Sequence, residues 1–256
     1  MLMNDGRELS PPATMQTHGF ALSSCPTSCS NFRDDAEVTS VYYEEMRQLV
    51  LKQSGGSRVC VFDHTIRESG NTNLNAAAGG SAAPVPRVHC DYTADGAPRR
   101  LAQLIEKNEL RTGSGEEPLS QAEAEQLAEG RFAFVNVCHA LAFLAVSRIL
   151  LSFLLSFAEF CAILVQVWRS IDPEHPVMQK PLAVCDERTV SDADKFKYEL
   201  IFPDRVGENY SLDATTARRH SWYYYPQMNA DECLSFKVYD RQEDGPRFVF
   251  HTAVSV

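Results

Sequence analysis

Apolar positions in this chain keep two rhythms. From Glu37 to Lys52 they fall at helical spacing, with Val41, Met46, Leu49 and Val50 beside Tyr42 and Tyr43, and Gly55-Gly56 supplies the stop. Arg99–Asn108 is amphipathic, with Leu101, Leu104 and Ile105 on one face. Ser120–Glu129 is a third helix, opened by Ser120 and Glu123 at capping-box spacing. Elsewhere the pattern is of short β-branched and aromatic runs between turn residues. It predicts strands over Arg58–His64, Arg87–Tyr92, Phe132–Val137, Pro181–Val184, Lys197–Phe202, Trp222–Tyr225, Leu234–Tyr239 and Phe248–Ala253. The Asn, Gly, Ala and Ser residues of Glu68–Ala83 read as a connection.

Many short strands with a few early helices predict an α+β fold: a double-stranded β-helix (jelly-roll) core with helices packed outside. Residues 1–35, rich in Ser, Pro and Thr, are expected to form an extended arm, and 36–256 a single domain. One segment breaks the rhythm. Cys138–Val167 is almost wholly apolar, with only His139, Arg148 and Glu159 as ionisable breaks. It predicts an apolar helical insert, long enough to span a bilayer. The charges near its middle, and the soluble-looking flanks, argue against a span.

Acidic residues outnumber basic ones, 34 to 24, for a net charge of −10. That surface excludes nucleic acid and an anionic membrane as main partners and fits a small-molecule substrate. The eight cysteines contain no C-x-x-C pair and read as reduced thiols of a cytoplasmic protein. Residues 1–30 lack the apolar stretch of a secretory signal.

The candidate chemistry lies in His89-Cys90-Asp91. On an extended segment an imidazole and a carboxylate two positions apart point to the same side. With a distant histidine they form the 2-His-1-carboxylate face that holds non-haem Fe(II) and leaves three positions open. By itself the triplet is a weak signal, equally read as a core histidine beside a surface aspartate.

Its surroundings sharpen it. In order along the chain stand His18-Gly19-Phe20, Val61-Phe62-Asp63-His64-Thr65-Ile66-Arg67, Val88-His89-Cys90-Asp91-Tyr92-Thr93, Trp168-Arg169-Ser170-Ile171, Pro181-Leu182-Ala183-Val184-Cys185-Asp186, His220 to Met228 (HSWYYYPQM), Phe236-Lys237-Val238-Tyr239-Asp240, and His251-Thr252-Ala253. Together these resemble the AsaB-type hydroxylase/desaturase family of fungi, over most of the chain. The resemblance implies an Fe(II)- and 2-oxoglutarate-dependent oxygenase of secondary metabolism. It implies His89, Asp91 and His251 as metal ligands, with His220 the rival for the third place. Arg169 and Arg247 are the candidates to bind the cosubstrate carboxylate through a guanidinium fork. Tyr92, Trp222 and Tyr224 are candidates to line the substrate pocket, though alternating aromatics are also ordinary core. His64 reads first as a satisfied core histidine, with lining that pocket as the alternative, and His18, His139 and His175 as structural.

The chain departs from the family pattern in two places. Family members run from the equivalent of Phe132–Val137 straight into Trp168-Arg169, so removing Cys138–Val167 restores FAFVNVWRSI. Thirty residues is a whole number of codons. Val137-Cys138 is encodable by GTNTGY and Gln166 by CAG, which resemble splice boundaries, so a retained intron is expected. Members also continue past the equivalent of Ala253 into a strand carrying an arginine, where this sequence has Val254-Ser255-Val256; activity of the chain as written is therefore in question. Two other function classes stay open. One is an S-adenosylmethionine-dependent methyltransferase, although Gly55-Gly56 precedes a strand and Gly79-Gly80 lies in low-complexity sequence. The other is a non-enzymatic protein tethered to a membrane by 138–167. Ser221 lacks the G-x-S-x-G setting of a serine hydrolase.

Overall fold

The computed structural model describes residues 2–67, 72, 81–110, 119–139, 161–169, 176–202 and 205–255; for 138–139, 161–164 and 166–169 it describes the backbone alone. Twelve strands are present among the described residues: β1 (Met3–Asp5), β2 (Phe20–Ser24), β3 (Arg58–Arg67), β4 (Ser81–Ala82), β5 (Arg131–His139), β6 (Cys161–Arg169), β7 (Leu182–Cys185), β8 (Lys195–Ile201), β9 (Val206–Leu212), β10 (Trp222–Tyr224), β11 (Glu232–Asp240) and β12 (His251–Ala253). Helices α1 (Asp35–Glu37), α2 (Tyr43–Ser54), α3 (Gly96–Glu106) and α4 (Gln121–Glu129) complete a mixed, sheet-dominated fold.

Four strands form one sheet in the order β1-β10-β7-β12, six form a second in the order β2-β11-β5-β6-β3-β4, and β8 pairs with β9. The sheets meet through aromatic rings. Phe20 of β2 lies 6.0 Å from Tyr223 of β10, and Phe236 of β11 lies 4.7 Å from the His251 ring of β12. Period-two alternation divides the larger sheet cleanly. Phe132, Phe134 and Phe236 join the core shared with the smaller sheet, whereas Val135, Val137, Val59 and Val61 pack with Tyr42, Met46 and Val50 of the α2 layer.

Helix signals held where capping chemistry supports them. Gly55 takes the left-handed conformation at φ 69° and closes α2 by donating to Leu51. Both halves of the Ser120/Glu123 capping box form at α4. Strand signals shifted where side chains capture the backbone. Arg87–Tyr92 is not a continuous strand: only His89 and Cys90 bridge, to His251 and Tyr210 respectively. Thr93 then starts the turn into α3, its hydroxyl accepting from Gly96 N at 2.9 Å. Of Phe248–Ala253 only β12 is strand, because the Glu187 carboxylate takes the N–H groups of Arg247 and Phe248.

The segment 1–35 carries β1, a 3-10 turn over Gly6–Glu8 and β2, and is built into both sheets. β1 runs parallel to β10 and β2 antiparallel to β11, and Met15 and Phe20 are buried. A helical insert is not what the described part of 138–167 forms. Its first two residues end β5 and its last seven, Cys161–Val167, open β6. β6 lies between β5 and β3, parallel to both. In the run AILVQVW the β-branched Ile163, Val165 and Val167 recur every second residue, a spacing that suits a strand. Residues 140–160, most of the 68–83 connection and His175 lie outside the described residues. No helix among the described residues is long and apolar enough to cross a membrane.

Candidate metal centre

His89 and His251 face each other across the bridge between segment 89–90 and β12. Their backbones exchange hydrogen bonds, His89 N to His251 O at 3.1 Å and His251 N to His89 O at 2.8 Å. Directly opposed residues of an antiparallel pair place their side chains on the same face, and the two imidazole centroids are 4.2 Å apart. Asp91, two residues on, turns its carboxylate to the same point. Oδ1 is 3.3 Å from His89 Nε2 and 3.7 Å from His251 Nε2. One donor atom from each residue lies within 4.8 Å of the others.

The tautomers follow from the outer contacts. His89 Nδ1 lies 2.8 Å from the Arg87 carbonyl and His251 Nδ1 3.2 Å from that of Val249. A carbonyl only accepts, so each Nδ1 carries a proton, which leaves Nε2 of each ring as the nitrogen turned inward to ligate. Two such nitrogens and a carboxylate oxygen converge on one point, a donor set that calls for a cation. Its N,N,O composition suits a borderline divalent metal such as Fe(II). The electrostatics agree. Burial, reinforced by His89 and opposed by Asp91, pushes the His251 imidazole down to about 3. Burial alone would raise the Asp91 carboxyl, but His251, His89 and the Asn136 amide hold it well below the usual carboxylate range.

Other sequence candidates lie elsewhere. His220 pairs with buried Asp194, at 3.4 Å, beside Arg219, and takes no part in the cluster. His64 points toward the α2 layer, to Tyr43 Oη at 2.8 Å and Asp35 at 3.3 Å, so it does not line the pocket. Arg247 donates through Nε to the Asp240 carbonyl, pairs with Glu243 and lies over Tyr239 and Phe248. Arg169 ends β6, and its side chain is outside the description. Tyr92 stacks on Phe134 at 4.4 Å, next to Asp91. Trp222 and Tyr224 flank Tyr223 on β10. Tyr223 pairs with Val184, which pairs with His251, so by alternation Tyr223 shares the His251 face and its two neighbours point away from it. Asn136 was a residue that sequence reading passed over: its Nδ2 donates to Asp91 Oδ2 at 2.7 Å. A polar residue in the apolar run FAFVNV was the available signal.

Comparison with known proteins extends this picture. Residues 1–148 and 157–256 match the family described as an oxidoreductase/YMDC permease-like domain. The chain is 27% identical over 263 residues to the hydroxylase/desaturase efuI of Hormonema carpetanum, covering 96% of this chain and 72% of that protein. It is 23% identical over 227 residues to the alpha-ketoglutarate-dependent dioxygenase phiK of a fungal species, covering 88% of this chain and 65% of that one. Among solved structures, the iron and alpha-ketoglutarate-dependent endoperoxidase NvfI superposes with a TM-score of 0.70 at 21% identity, over 99% of this chain and 76% of its own.

Proposed function

The chain belongs to the oxidoreductase/YMDC permease-like domain family, and from that starting point we propose that it is a non-haem Fe(II)- and 2-oxoglutarate-dependent oxygenase, hydroxylating or desaturating a small molecule. The observation that carries the reading is the convergence of His89 Nε2, His251 Nε2 and Asp91 Oδ1, with both imidazoles locked into the metal-binding tautomer. The two facing sheets are read as the two sides of a double-stranded β-helix, with the site between them.

Fe(II) with 2-oxoglutarate and O2 supplies the oxidising power for attack on an unactivated C–H bond. The chain's own residues position and enclose. His89 and His251 would each offer one ring nitrogen and Asp91 one anionic oxygen to a divalent ion. Phe236, against His251, and the Tyr92–Phe134 pair keep water away from two sides. Tyr223 and Phe20 extend the aromatic row and would meet an apolar substrate. For the cosubstrate's distal carboxylate, Arg247 and Arg169 are the guanidinium candidates. The Arg247–Glu243 pair is an exposed one, worth roughly 0–1 kcal/mol, and exchanges readily for another carboxylate.

Anaerobic thermal unfolding tests the assignment against the methyltransferase alternative. Fe(II) raises the midpoint, 2-oxoglutarate raises it further only with Fe(II) present, and S-adenosylmethionine leaves it unchanged. Stabilisation by S-adenosylmethionine with none from Fe(II) overturns the oxygenase reading.

A further inference from the structure

Asn136 sits at the middle of β5, 1% exposed, on the face that carries Phe134 and pairs with Phe236. An amide among aromatic rings is costly unless hydrogen-bonded, and its bond goes to one atom, Asp91 Oδ2 at 2.7 Å. An ionised carboxylate cannot donate, so the amide nitrogen must face it. The other carboxylate oxygen, Oδ1, is the one turned to the two Nε2 atoms. The two oxygens of Asp91 are thus divided between a neutral donor and the metal position.

We infer that Asn136 is a positioning residue that holds Asp91 to one-oxygen coordination. This rests on the metal reading above. A carboxylate free to rotate would chelate through both oxygens and take a position that the cosubstrate or O2 requires. With Oδ2 occupied by the amide, Asp91 spends one position, and the face keeps three open. The amide also disperses charge on Asp91 without adding any, which a lysine or arginine at the same place would not do. β5 is fixed on both sides, by β11 and β6, so the amide is carried on a rigid strand.

The test uses Co(II), which binds N,N,O sites and reports its donor set by visible absorption, titrated into metal-free full-length protein. Asn136→Leu preserves volume and removes the donor. Asn136→Ser shortens the side chain beyond direct reach of Asp91 and keeps the position polar, so it serves if the leucine variant does not fold. Both are expected to lose about ten- to hundred-fold in Co(II) affinity, with altered visible bands. Val135→Ala, which trims the same strand on its opposite face, against the α2 layer, is expected to keep the wild-type bands. Wild-type bands and affinity within about twofold in both Asn136 variants, well inside the range expected of an outer contact, overturn the inference alone. Failure of wild-type protein to bind Co(II) overturns the metal reading and this inference with it.

Discussion

Acid destabilisation of the metal-free protein gives a quantitative check on the geometry around His251. The imidazole is 1% exposed and burial with His89 depresses it to about 3, against about 6.5 in an unfolded chain. Between those values the unfolded state holds a proton that the folded state refuses. Stability is therefore fully present above about pH 6.5 and falls as pH drops toward 3. At about 1.4 kcal/mol per unit, lowering the pH from about 7 to about 4.5 removes roughly 3 kcal/mol through this one residue, a large share of a typical domain's 5–15 kcal/mol. Asp91, also depressed, adds its loss only at lower pH; burial lowers the His18 and His64 imidazoles too, so they share the window and must be subtracted. Urea unfolding with chelator present, at both pH values, measures the loss. His251→Leu sets the baseline, since it keeps every other titrating group. Wild type is expected to lose roughly 3 kcal/mol more than the variant between the two conditions. An equal loss in both proteins refutes the buried, neutral imidazole.

Three further outcomes follow from the same geometry. Tyr223→Ala is expected to change substrate KM or product distribution with Co(II) binding intact, whereas Trp222→Phe, on the other side of β10, leaves substrate selection unaltered; steady-state kinetics on both variants checks the pocket face. Gly19→Ala is expected to cost about 2–5 kcal/mol by chemical denaturation, because Gly19 sits at φ +80° and a Cβ would meet Val249 Cγ2 at 2.6 Å and Pro246 Cβ at 2.9 Å. Removal of 138–167 is expected to leave a folded, Co(II)-binding protein. Every β5 residue from Arg131 to His139 pairs with the β6 residue thirty positions on, so the joined strand FAFVNVWR keeps Asn136 and offers β3 an unchanged register one strand spacing, about 4.8 Å, closer. Loss of Co(II) binding on deletion, or mature transcripts that all carry the ninety nucleotides, counts against the retained-intron proposal.

The legible parts of this fold were those encoded locally. The α4 capping box, the Gly55 stop and the β3 and β11 strands depend on neighbours within a few residues, and they stand where the pattern put them. So does the His89-Asp91 pair, since two residues apart is a local relation. What the pattern could not give was pairing. β1 and β9 lack a continuous apolar run, because β1 is three residues at a sheet edge and β9 is half polar. Whether Trp222 or Tyr223 faces His251 depends on register with β7, set across the fold. Asn136 gains its meaning only from Asp91, forty-five positions away.

The central claim is that His89, Asp91 and His251 hold a reactive Fe(II). Its most direct test is O2-dependent conversion of 2-oxoglutarate to succinate by the Fe(II)-loaded chain, with a panel of candidate small-molecule substrates, beside His89→Ala. Turnover is expected to require Fe(II) and to vanish in the variant, together with its bound iron. Succinate formed at the wild-type rate by His89→Ala, or none from iron-loaded wild type with any substrate, would contradict it.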